Sequence, residues 1–100
     1  MGKNKRRVKQ GRRNEPKDAL AIARAKMDSG ERASARDTLM ALLAQDAESA
    51  DAWHMLGAVD YLMGDSRSSA QSFEKAVALS PSNPNFLNDL ASLFSAEQRY

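Results

Sequence analysis

The sequence predicts an all-α fold, an array of antiparallel helix pairs with about five helices. Three observations predict it. Gly30 and Gly64 lie 34 residues apart, each closing an Ala-rich stretch and each followed by an acid, Glu31 or Asp65. A fixed period in this range marks a repeat architecture. Apolar residues recur at helical spacing and nowhere alternate with period two, so no sheet is expected.

The elements follow in order. Residues 1–15 read as a disordered basic tail, with Val8 the only apolar residue after Met1. The first helix runs from about Pro16 to Ser29, with proline suited to the first helical position. The second runs from about Arg32 to Gln45, with Ala35, Leu39, Leu42 and Leu43 on one face. The third spans about Ala50 to Met63, its face formed by Trp53, Leu56, Val59 and Met63. The fourth spans about Ser66 to Leu79 with Ala70, Phe73, Ala76 and Val77. The fifth starts after Ser82-Asn83-Pro84, a polar cap followed by proline, and carries Leu87, Leu90, Leu93 and Phe94. Gly30 and Gly64 are placed to end helices in a left-handed conformation. Connections of two to four residues turn neighbouring helices antiparallel.

Composition excludes several classes. The 100 residues hold no cysteine and one histidine, which removes thiol nucleophiles, disulfides and Cys- or His-rich metal sites. No Gly-rich phosphate loop occurs, and no cofactor or catalytic residue is indicated. Met27, Met40, Met55 and Met63 read as core filler. No apolar run reaches the length of a membrane span. The tail lacks the apolar core of a secretory signal, so the expected location is cytoplasmic. Charge is divided along the chain. Residues 1–17 hold eight Lys or Arg against Glu15, while residues 18–100 hold seven against twelve acids.

Residues 50–83 carry a recognisable pattern: Trp53, then Leu56-Gly57, Tyr61, Gly64-Asp65, Phe73, Ala76 and Pro81. This resembles the tetratricopeptide repeat (TPR) family, whose 34-residue unit has the form W-x₂-L-G-x₂-Y, A-x₃-F and a terminal proline. Asp60 and Ser69 are mild departures, each with the expected residue type one place later. Gly57 and Ala76 are small where two helices should cross closely. Residues 16–49 look like a degenerate copy, and residues 84–100 like a half repeat or capping helix. Two explanations stand for the end at Tyr100. The fifth helix caps the array with polar Asn88, Asp89, Ser92 and Ser95, or Leu93 packs on a further helix that follows Gln98-Arg99-Tyr100; continuation is the expectation. Two and a half repeats should be marginally stable alone, or helped by self-association.

The resemblance implies a concave groove lined by the first helix of each repeat, holding a peptide or helix of another protein. Carried over by register, the groove residues expected are Arg24, Asp51, His54, Tyr61, Asn85, Asn88 and Ser92, flanked by Leu20, Met27, Ala58 and Leu62. One subclass clamps a C-terminal carboxylate with Lys and Asn. The corresponding Leu20, Arg24, Met55, Ala58, Asn85 and Asp89 do not reproduce it. The expected function is a protein–protein interaction scaffold. Two alternatives stand beside it: the N-terminal module of a larger glycosyl-, sulfo- or methyltransferase, and an RNA- or ribosome-associated protein. In the second, Lys5, Arg6, Arg7, Arg12 and Arg13 would contact nucleic acid or another anionic surface non-specifically.

Overall fold

The computed structural model describes residues 16–98 of the chain, and side chains for residues 18–96. Five helices follow one another: α1 (Pro16–Asp28), α2 (Arg32–Gln45), α3 (Ala50–Leu62), α4 (Ser66–Leu79) and α5 (Pro84–Gln98). Among the described residues there is no strand. Each helix packs on its sequence neighbour, the α3–α4 pair most extensively, and α1 also touches α3. The chain therefore stacks as helix pairs, with α1, α3 and α5 forming an inner layer and α2 and α4 an outer one.

The turns explain the repetition. Gly30 and Gly64 are the two described residues with positive φ, at 83° and 88°. At each, two backbone bonds close the helix end. Gly30 N–H donates to Met27 O and Glu31 N–H to Lys26 O; Gly64 N–H donates to Tyr61 O and Asp65 N–H to Asp60 O. This is the Schellman geometry, built twice, and a side chain at either position would be strained. Three of the starts are capped by side chains, though that of α2 at Glu31 is not. Ser49 accepts from Ala52 N–H, Asp65 from Ser68 N–H, and Asn83 from the N–H groups of Asn85 and Phe86.

The core runs from Ala23 through Ala35, Leu39, Leu42, Leu43, Ala52, Met55, Leu56 and Val59. Gly57 supports the closest helix crossing: a Cβ there would stand 2.5 Å from Phe73 Cδ1. Ser69 fits the same crossing and donates its hydroxyl to Gly57 O at 2.8 Å. Buried Asp60 accepts from Arg36 Nε at 2.7 Å, joining α2 to α3.

Three expectations are corrected. Helix α3 ends at Leu62, and Met63 is an exposed cap residue, because the Schellman turn begins there. Met40 is exposed on the outer layer, not core filler. In α5, Leu87 and Phe94 face outward, while Phe86 and Leu93 are buried. Leu93 is 4% exposed, covered within the described helices. The repeat register accounts for this: Phe86 and Leu93 fall 34 residues after Ala52 and Val59, both fully buried.

Candidate functional site: the cleft between α3 and α5

Helices α3 and α5 run side by side on the inner layer, and a cleft opens between them. It encloses about 350 Å³ and is lined by Ala58, Tyr61 and Leu62 of α3, Phe73 of α4, and Asp89, Ser92 and Leu93 of α5. Its walls are apolar and aromatic, with a carboxylate and a hydroxyl at the rim. Tyr61 and Leu62 are exposed by 47% and 49%, high values for such large side chains at the end of a packed helix.

His54 sits behind the cleft, in contact with two of its lining residues, Asp89 and Phe73. Its Nε2 lies 2.5 Å from Asp89 Oδ2, tying α3 to α5. A carboxylate only accepts, so the imidazole N–H donates. The ring stacks on Phe86 at 4.6 Å between centroids and leans on Phe73 at 5.3 Å. His54 is thus held on three sides. Asp89 itself lines the cleft, and its side chain is 49% exposed.

The sequence-derived groove residues divide in consequence. Tyr61 and Ser92 line the cleft, together with Ala58 and Leu62. His54 borders it through Asp89. Asp51 and Asn88 are exposed on α3 and α5 without lining it, as is Asn85 at the start of α5. Arg24 is exposed on α1, away from the cleft. Lys5, Arg6, Arg7, Arg12 and Arg13, with the whole of the 1–15 segment, lie outside the described residues. Three lining residues were missed by register alone, Phe73, Asp89 and Leu93. Phe73 and Leu93 are core residues, 6% and 4% exposed, that form the floor of the cleft, and Asp89 was read as an outer polar position.

A second hollow of about 580 Å³ lies on the outer side between α2 and α4, floored by Trp53, Leu56 and Asp60. It is larger, and some of its polar groups are engaged while Gln71 and Glu74 are exposed at its edge. Arg36 binds Asp60, the Trp53 indole N–H donates to Ala47 O, and Lys75 lies over the Trp53 ring at 5.6 Å. The inner cleft is the better candidate because it opens between α3 and α5, the helices on which groove residues are expected, and Tyr61 and Leu62 stand about half exposed in it.

Among the described residues no group of three or more His, Asp or Glu could hold a metal ion. No described helix is long and apolar enough to cross a membrane.

Comparison with known proteins places the frame. No family model matches the chain, and no curated protein matches it. Solved structures do. A crystal structure of MamA superposes with a TM-score of 0.79 at 19% identity, over 93% of this chain and 54% of that one. A second MamA structure gives 0.76 at 20% identity, over 92% of this chain and 50% of that one. The first TPR of Spaghetti (RPAP3), bound to the HSP90 peptide SRMEEVD, gives 0.79 at 19% identity, over 85% of this chain and 68% of that one. The chain spans about half the length of the MamA structures. At these identities the likeness is one of fold: the protein is an all-α, TPR-like helical array.

Proposed function

We propose that the protein is an interaction module whose α3–α5 cleft docks a short extended peptide segment of a protein. The observation that carries this reading is the cleft itself, an open apolar hollow with Asp89 and Ser92 at its rim. Its volume of about 350 Å³ suits a few side chains of an extended segment and is too small for a helix laid along it. A structural neighbour of the same fold was solved with a bound peptide, which supports peptide docking at the level of the frame. The match does not extend to the peptide's charge. SRMEEVD is acidic, whereas the cleft presents Asp89 and no lining Lys or Arg.

Selection from a random displayed-peptide library against the full chain, followed by calorimetry, tests the reading. A selected peptide should bind the wild type and lose binding to Ala58→Trp, which fills the cleft, with helicity unchanged by circular dichroism. An unaltered affinity for Ala58→Trp and Tyr61→Ala would remove the cleft from consideration.

A further inference from the structure

The two helices that wall the cleft are charged in one sense only. Helix α3 contains Asp51 and Asp60, and α5 contains Asp89 and Glu97; neither contains a lysine or arginine. Asp60 is committed to Arg36 on the far side of α3. Asp51 and Asp89 are exposed on the layer that carries the cleft. A segment suited to this site places an apolar side chain between cations. Such a segment is present in the chain: Lys5-Arg6-Arg7-Val8-Lys9, within a 17-residue stretch of net charge +7 (eight basic residues less Glu15). The remainder, residues 18–100, carries −5 (seven basic less twelve acidic). The charges are complementary across the two parts of one molecule.

Resting on the cleft's reading as a peptide site, we infer that the N-terminal segment of this chain is its resident occupant, with Val8 in the apolar hollow and Arg6, Arg7 and Lys9 toward Asp89 and Asp51. The tether is long enough. Eight chain steps separate Val8 from Pro16, and an extended chain spans up to about 3.3–3.6 Å per step, roughly 27 Å in all. Helix α1 touches α3 and Pro16 falls one repeat before Ala50, so the cleft at Ala58–Leu62 lies about two helix spacings across and roughly 12–17 Å further along the axis, on the order of 25 Å away. A partner peptide would then have to displace the segment, and the module would favour partners more basic or more apolar than its own tail.

The test uses the isotope-labelled full chain and a charge-reversed variant, Arg6→Glu with Arg7→Glu and Lys9→Glu. At low salt the amide signals of Ala58, Tyr61, Asp89 and Ser92 should differ between the two, and the difference should fade toward about 1 M salt, where screening is nearly complete. A synthetic peptide of residues 1–15, added to the variant, should restore the wild-type positions. A peptide with the same three reversals should bind about fivefold more weakly, from the loss of two exposed ion pairs at Asp89 and Asp51. Identical spectra for wild type and variant would overturn the inference, as would differences that vanish on dilution, which would mean seating from a second copy. If a library-selected peptide moves Ala58 and Ser92 while tail reversal does not, the tail is not the occupant but the peptide site stands. If neither moves them, both readings fall.

Discussion

Gly57 and Phe73 meet face to face at the α3–α4 crossing, leaving no space for a side chain at residue 57. A Cβ there would stand 2.5 Å from Cδ1 and 2.6 Å from Cε1 of a ring that is 6% exposed. The ring cannot retreat, because His54 leans on it from the inner side. This contact sets the distance between the two helices and so places Phe73 at the back of the cleft.

Gly57→Ala should therefore destabilise the protein. Helix propensity alone would favour alanine by about 1 kcal/mol, and overpacking costs about 1–3 kcal/mol. A net loss of about 1 kcal/mol is expected in denaturant unfolding. Phe73→Leu introduced with it should cost less than the sum of the two single changes, and a strictly additive double-mutant cycle would show that the contact does not limit packing.

The Arg36–Asp60 pair should respond unequally to loss of either partner. The Asp60 side chain is 2% exposed and that of Arg36 is 36% exposed. The neighbouring Asp60 carboxylate, by its hydrogen bond and its charge, raises the Arg36 guanidinium further above its ordinary value, so the arginine stays charged. Arg36→Met strands a buried carboxylate and should cost about 2–3 kcal/mol, below the full figure for buried pairs because one partner is wet. Asp60→Asn leaves an acceptor for an arginine that water can still reach, and should cost about 1 kcal/mol. Equal losses, read from urea midpoints, would contradict this ordering.

His54 and Asp89 hold α5 against α3, and their removal should loosen α5 first. His54→Ala loses a part-exposed hydrogen bond to Asp89 and a stack on Phe86, together about 1–2 kcal/mol. Amide hydrogen exchange should quicken across Pro84–Gln98 and stay nearly unchanged in α1 and α2. Uniform acceleration would mean that the bridge stabilises the whole array and not this docking.

Asp65 gives the fold a dependence on acid. The Ser68 backbone N–H, and after it the Ser68 side chain, hold its carboxyl below the ordinary value. A lowered pKa contributes stability that is present above the unfolded value, about 3.9, and is lost as pH falls through the folded one. Asn caps a helix without titrating, so Asp65→Asn should lower the melting temperature by a constant amount above about pH 5. That gap should narrow as the pH drops below about 4, and a gap independent of pH would exclude the cap as its source.

Much of the frame was legible because the informative residues are local. Gly30 and Gly64 mark helix ends by a backbone requirement, and Asn83-Pro84 marks a start by the same kind of chemistry. Gly57 betrayed a close crossing because small residues in a register of large ones have few other uses. The cleft was half legible. Tyr61 and Ser92 followed from register, but the pairs that shape its surroundings join residues 24 and 35 apart, Arg36 with Asp60 and His54 with Asp89. Nothing local specifies such pairs. Helix α5 was misread for another reason: two apolar stripes interleave on it, Phe86–Leu90–Leu93 and Leu87–Leu90–Phe94, and periodicity does not choose between them. Comparison with Ala52 and Val59 one repeat earlier does.

The most direct test of the docking site is an amide chemical-shift map of the full chain with a library-selected peptide. The account predicts that the largest shifts fall on Ala58, Tyr61, Leu62 and Ser92, at the inner cleft. Shifts confined to Met40, Trp53, Gln71 and Lys75, around the outer hollow, would contradict it.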